Sequence, residues 1–197
     1  MKLITDIFDK NKNPIEGNFL VSNLRLDGTL FERTVIYMCQ YDETGAMGFV
    51  INKSFGEIEF KKILTQMGVL EKQIDQVENI PVYYGGPVDI AKGYVLHSSD
   101  FKDKTTEVYK NGIHMTANTH ILEELALGKG PKKSIFILGH SSWEPGQLER
   151  EIEHNSWFLV PSKKNLILDH ECDKKWDQAL SDFGIKKRRL SRFQGHA

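Results

Sequence analysis

A short stretch near position 140 holds most of the residues that could carry chemistry. It runs from Leu138 to Glu151, where an apolar segment meets a glycine, His140 and Ser141, and Pro145 opens a helix. A serine at such a strand-to-helix turn is typical of α/β-hydrolases, whose motif is Gly-x-Ser-x-Gly. Here Trp143 stands where the second glycine is required. The sequence therefore disfavours Ser141 as a nucleophile.

The helix after this turn offers a second possibility. Gln147 and Glu151 lie one helical turn apart and share a face with His154. A helix start that follows a glycine turn has free backbone N–H groups, which suit an anion. The same pattern is typical of a solvated face supported by pairs such as Arg150 with Glu153. We favour the solvated face and keep an anion-binding site at the start of this helix as the alternative.

Two further groups lie outside this stretch. Gly85-Gly86-Pro87 lacks the glycine spacing of a dinucleotide or phosphate loop, so it predicts a turn with close backbone packing. His97 ends a strand three residues before Asp100, which could bring an imidazole and a carboxylate together. The seven histidines show no fixed ligand spacing. We therefore predict no metal site and no cofactor.

Charge and cysteine content limit the classes of function. The chain has 26 Lys and Arg against 27 Asp and Glu, and this balance does not support direct nucleic-acid binding. A basic segment at 186–192 keeps DNA contact as a third hypothesis. Cys39 and Cys172 form no CxxC pair, which suits a reducing compartment. Because no signal peptide or membrane-spanning run is evident, we predict a cytoplasmic protein without membrane contact.

Hydrophobic periodicity predicts the elements that position these residues. Strands outnumber helices and occur in hairpins, of which the one at Asn111-Gly112 has the clearest turn signal. This indicates an α+β protein with a mixed or antiparallel sheet. We expect a flexible leader over 1–14, one domain over 15–197 and a short strand at Leu166–Leu168. The apolar spacing predicts four helices, over 60–67, 119–127, 147–155 and 176–183.

Several separated motifs between residue 17 and residue 197 resemble the AlgH/YqgE family of bacterial proteins. They include Gly45-Ala-Met-Gly48, Gly85-Gly-Pro-Val88, Pro145-Gly-Gln-Leu148, Asn155-x-Trp157 and the terminal Gly195-His-Ala197. The resemblance implies a bifurcated, partly barrel-like sheet surrounded by about four helices. It also implies the family's label of transcriptional regulator, and it supplies no catalytic residue set or cofactor.

These observations predict a non-enzymatic regulatory protein that binds a partner protein or a small ligand. The alternative is a small-molecule enzyme, such as a hydrolase, that uses His97, His140 or Glu151 as an acid–base group. Either function needs the candidate residues to meet at one open pocket. The candidates are Gly85, Gly86, Pro87, His97, Gly139, His140, Trp143, Gln147 and Glu151.

Overall fold

The computed structural model describes residues 15–69 and 80–185 of the chain. The predicted leader over 1–14 and the basic segment at 186–192 lie outside the described residues. None of the helices within the described ranges has the length and apolar character that crossing a membrane requires.

Ten strands and five α-helices follow one another along the described residues. The strands are β1 (Phe19–Ser22), β2 (Val35–Asp42), β3 (Gly45–Val50), β4 (Ser54–Glu59), β5 (Pro81–Tyr84), β6 (Val88–Ser98), β7 (Glu107–Val108), β8 (Ile113–Thr116), β9 (Ser134–Trp143) and β10 (Trp157–Val160). The helices are α1 (Phe60–Gln66), α2 (Thr119–Ala126), α3 (Gln147–Glu153), α4 (Lys164–Leu168) and α5 (Cys172–Asp182).

Strand β9 is the point at which the sheet divides. Its first half lies between β5, which runs parallel to it, and β6, which runs antiparallel. Its second half pairs with β3 instead of β5. One branch continues from β3 through β2 and β1 to β10, and the other continues from β5 to β4. The sheet curls into half a barrel, which confirms the expected α+β fold with a bifurcated, partly barrel-like sheet.

Gly85 connects the two branches through its backbone. Its N–H donates to the Leu138 carbonyl oxygen on β9 at 2.8 Å, and its own carbonyl oxygen accepts from the Val50 N–H on β3 at 2.9 Å. A Cβ atom at Gly85 would overlap the carbonyl oxygen of Gly139. Gly139 itself has a φ of 73° and packs against the Gly86 carbonyl oxygen. The predicted close backbone packing at Gly85-Gly86 is thus confirmed, and the branch requires glycine.

Strand β2 is buried on both of its faces, as its continuous apolar sequence predicts. Tyr37 packs on one side with Phe19 and Phe49. Ile36 and its neighbours on the other side belong to a second cluster, which includes Trp143. Burial of each such side chain contributes about 1.5–3 kcal/mol relative to exposure, so this strand anchors two layers of core.

The hairpin predicted at Asn111-Gly112 is also present. Strands β7 and β8 pair antiparallel around it. Asn111 has a φ of 62° and Gly112 a φ of 67°, so both residues occupy the left-handed region. That conformation is the reason for the strength of the Asn-Gly signal.

One element prediction is wrong, and one strand was not predicted. Leu166–Leu168 belongs to helix α4, because Ile167 and Leu168 are both buried in the core and their backbone turns back on Lys163. Three consecutive apolar residues do not distinguish a buried strand from a short helix. Helix α4 raises the number of helices from the expected four to five. Strand β4 was not expected, since most of its described side chains are exposed.

We predict that replacing Gly85 by alanine destabilises the protein by about 3 kcal/mol, the upper range for an overpacked site. Gly85 does not have a positive φ, so the cost is the collision with Gly139 rather than backbone strain. Gly56→Ala on β4 is the matched control, because a Cβ there meets nothing within 4 Å. Urea unfolding measures both. Equal costs for the two variants would contradict the account of the branch.

Candidate functional site

The turn from β9 into α3 forms a closed hydrogen-bonded corner. One carboxylate oxygen of Glu151 accepts from the indole N–H of Trp143 at 2.9 Å and from that of Trp157 at 2.7 Å. The other accepts from the Gln147 amide at 2.9 Å. The Gln147 side-chain oxygen accepts from the Glu144 backbone N–H at 3.1 Å. Gln147 and Glu151 share one face, as predicted, but their polar atoms hold this corner together.

The two residues after Gly139 have different surroundings. Ser141 is 1% exposed, and its hydroxyl lies 3.3 Å from the Gly85 carbonyl oxygen, so it supports the branch. His140 is half-buried, and its Nδ1 lies 3.3 Å from the Tyr94 hydroxyl. Burial lowers the pKa of His140, which favours a neutral ring at neutral pH.

His97 is fully buried and both of its ring nitrogens are engaged. Nδ1 donates to the Ser98 carbonyl oxygen at 2.9 Å, so Nε2 accepts from the Thr116 hydroxyl at 3.0 Å. Burial lowers the pKa of His97. The Asp100 carboxylate accepts instead from Ser98 and from the Lys132 backbone N–H. The imidazole–carboxylate pair considered from the sequence is therefore not formed by hydrogen bonding.

The candidate residues form separate groups rather than one pocket. His97 pairs with Ser134 and His140 pairs with Val88, so six residues of β9, on the order of 20 Å, separate the two histidines. A shallow cavity of about 320 Å³ lies beside the corner, and Trp143 is the one candidate residue that lines it. The expectation of a single shared pocket is wrong, because Gly85, Gly86 and Gly139 fill the branch with their own backbones. Pro87 is exposed beside them, and ligand binding at these residues stays a prediction.

A larger cleft lies elsewhere, between helices α1 and α2 on one side and α4 on the other. Its volume is about 770 Å³. Apolar side chains and polar groups both face it, and they come from five separate parts of the chain. The lining residues are Phe60, Ile80, Leu125, Gly128, Gly130, Pro131, Lys132, Lys133, Ser134, Asn165, Leu168, Asp169 and His170.

Tyr83 lies behind one wall of this cleft. Its hydroxyl is 3.2 Å from Nδ1 of His170 and 3.5 Å from the Asp169 carbonyl oxygen. Burial raises the pKa of Tyr83, so the phenol keeps its proton. This contact fixes the His170 ring at the cleft wall.

A buried lysine completes this region. The Lys175 ammonium donates to the carbonyl oxygens of Ile51 at 2.7 Å and Ile167 at 3.3 Å, and it lies 5.3 Å from the centre of the Tyr83 ring. Burial lowers the pKa of Lys175 from 10.5 to about 8. The spacing already contained this signal, since Lys175 precedes Ala179 by four residues and so lies on the apolar face of α5.

The cleft residues could not be found from the sequence in the same way. Lys133, Asn165 and His170 lie on segments that no local spacing connects. Among the described residues no group of three or more His, Cys, Asp or Glu side chains is arranged to hold a metal ion.

Comparison with known proteins places the chain in a family of bacterial sequences. The AlgH-like family model matches residues 19–188. A UPF0301 protein of Rhodopseudomonas palustris strain HaA2 is 40% identical over 95% of this chain and 91% of its own length. A UPF0301 protein of Afipia carboxidovorans is 36% identical over 93% of this chain and 90% of its own length.

Solved structures show the same fold. The solution structure of the AlgH protein from Pseudomonas aeruginosa superimposes with a TM-score of 0.75 at 30% identity, covering 93% of this chain and 96% of that one. A crystal structure from Corynebacterium diphtheriae gives a TM-score of 0.68 at 20% identity, covering 93% of each chain, and so shows the likeness of fold alone.

The corner predicts a large effect of Glu151→Ala on stability. Loss of the carboxylate leaves the indole N–H groups of Trp143 and Trp157 buried without their acceptor, so we expect a cost of about 2–4 kcal/mol in the free energy of unfolding. Glu153→Ala on the same helix is the control, expected within about 0.5 kcal/mol of the original. Urea unfolding followed by tryptophan fluorescence measures both. A small effect at Glu151 would show that the indoles do not depend on this carboxylate.

The buried lysine predicts a specific dependence of stability on pH. The folded protein releases the Lys175 proton near pH 8, whereas the unfolded chain holds it to about 10.5. In that window the unfolded state binds more protons, so stability rises with pH. The stability of the original chain relative to Lys175→Met should therefore rise by about 1.5 kcal/mol between pH 8 and pH 9.5.

Urea unfolding at the two pH values measures this change. Lys174→Met removes the same charge from an exposed neighbour, and its stability relative to the original should change little over this window. If the difference in free energy of unfolding between the original chain and Lys175→Met stays constant with pH, the pKa of the buried lysine is not lowered.

Proposed function

The chain belongs to the AlgH-like family, and from this premise we propose that it is a cytoplasmic ligand-binding protein whose site is the 770 Å³ cleft. The volume of this cleft is the observation that carries the proposal. Small-molecule sites are concave, mostly apolar and about 300–1,000 Å³ in volume. The volume of the cleft falls within this range, and its lining is polar and apolar in similar measure.

The arrangement of the cleft walls supports the same function. Ile80 and Leu125 are partly exposed and present apolar side chains to the cleft, and Phe60 and Leu168 line it as buried side chains. Ser134 and Asn165 add hydrogen-bonding groups at separate points of the wall. A few fixed polar groups around an apolar surface orient a small molecule and give it specificity.

A regulatory role fits this proposal through ligand binding rather than through DNA contact. The formal net charge of −1 offers little attraction to the phosphate backbone, which dominates the affinity of DNA-binding proteins. A bound ligand stabilises the folded conformation that binds it. The regulatory label of the family is then explained by a change in the protein's state, sensed by a partner.

The enzymatic alternative now depends mainly on His140. His97 is buried with both nitrogens engaged, and Glu151 is held by two indoles and an amide. His140 is half-buried beside the Tyr94 hydroxyl, yet it does not line the 770 Å³ cleft. None of the three acid–base candidates of the enzymatic alternative therefore lines the cleft.

A thermal-shift screen with a small-molecule library tests the proposal. Compounds that bind the cleft raise the Tm of the original chain by mass action. Leu125→Trp places a larger side chain in the cleft and should abolish these shifts. Leu127→Trp is the matched control, because Leu127 is 41% exposed and lies outside the lining.

The proposal fails if no compound raises the Tm of the original chain, or if the shifts survive in Leu125→Trp. Should Leu125→Trp not fold, Asn165→Trp blocks the cleft from its exposed side and gives the same comparison.

A further inference from the structure

We propose that the ligand of this cleft is an amphipathic organic anion, with an apolar body and a carboxylate, sulfonate or phosphate group. The inference rests on the proposed function of the cleft and adds the chemistry of its ligand. Two adjacent lysines at the cleft wall, Lys132 and Lys133, are the observation on which it stands.

These lysines lie on a segment that is fixed to the sheet. The Lys133 backbone N–H lies 3.2 Å from the Ser98 hydroxyl, and its carbonyl oxygen accepts from the Ser98 backbone N–H at 2.9 Å. The Lys132 backbone N–H donates to the Asp100 carboxylate at 3.0 Å. Pro131 is buried just before them. The backbone that carries both lysines is therefore fixed at the cleft wall.

The local charges leave this wall positive. The Asp100 carboxylate keeps its negative charge while it accepts from the Lys132 backbone and Ser98, but it does not line the cleft. Within residues 15–69 and 80–185 no carboxylate forms a salt bridge with Lys133. The one acidic residue of the lining, Asp169, accepts from the Glu171 backbone N–H at 3.0 Å. The lining thus carries two lysines and one aspartate, a formal excess of one positive charge.

The apolar part of the lining indicates the chemistry of the rest of the ligand. Ile80 and Leu125 are partly exposed and supply apolar contact surface. A purely polar anion such as inorganic phosphate would leave this surface in contact with water, so binding would lack the contribution of apolar burial. An anionic group joined to an aromatic or aliphatic body satisfies both parts of the cleft.

Two dyes that differ in one anionic group test the inference. The first is 8-anilinonaphthalene-1-sulfonate, and the second is N-phenyl-1-naphthylamine, which has the same rings without the sulfonate. Fluorescence titration of the folded, full-length chain gives a Kd for each. We expect both dyes to bind, the sulfonate more tightly.

Charge reversal at the cleft wall then separates the contribution of the anionic group from that of the aromatic rings. Lys133→Glu should weaken binding of the sulfonate dye on the order of tenfold through loss and reversal of one nearby charge, and leave the neutral dye unchanged. Lys129→Glu makes the same change of net charge four residues earlier, outside the lining, and should alter neither Kd. Lys133→Gln replaces Lys133→Glu if the latter does not fold.

The possible failures are distinct. If neither dye binds the original chain, the inferred chemistry of the ligand is overturned, whereas the proposed ligand-binding function is decided by the thermal-shift screen. If both dyes bind equally, or if Lys133→Glu has no effect on the sulfonate dye, the cleft binds small molecules but does not select anions. If Lys129→Glu weakens the sulfonate dye as much as Lys133→Glu does, net charge rather than the cleft wall governs binding, and the inference fails.

Discussion

A single glycine backbone joins the two branches of the sheet, and the rest of the structure depends on that contact. The Gly85 N–H bonds to β9 and its carbonyl oxygen bonds to β3, so β9 can pair with β5 in one half and with β3 in the other. Because β9 changes its pairing partner from β5 to β3, the corner at Trp143 lies at one end of the strand and the cleft lies at the other. Because Gly139 lies against Gly85 and Gly86, no side chain fits at the branch.

Most of the polar residues that the sequence singled out make hydrogen bonds that support the fold. Glu151 is an acceptor for two indoles, Ser141 bonds to the branch and His97 fills a buried hydrogen-bonding position. Buried polar groups need such partners, since an unmet hydrogen bond costs about 1–3 kcal/mol. Their residue types resemble catalytic groups, although their geometry is that of support. The cleft, by contrast, keeps its lysines and apolar side chains at a surface that a ligand can reach.

Local patterns predicted much of the fold, and distant contacts could not be predicted in the same way. The Asn111-Gly112 turn and the Gly85-Gly86 packing were foreseen because positive φ and close approach are demands on single residues. The family resemblance supplied the bifurcated sheet. Leu166–Leu168 was mistaken for a strand because three apolar residues have no period. The cleft was missed because its walls meet only after folding. Lys175 was missed as well, although the helical spacing places it on the apolar face of α5.

The proposed ligand site is the cleft and not the corner. Amide chemical-shift mapping of the ¹⁵N-labelled chain during titration with 8-anilinonaphthalene-1-sulfonate tests it most directly. The account predicts that the largest shifts fall at Lys133, Ser134 and His170, which line the cleft. Shifts concentrated at His140, Trp143 or Gln147, with the cleft amides unmoved, would contradict it.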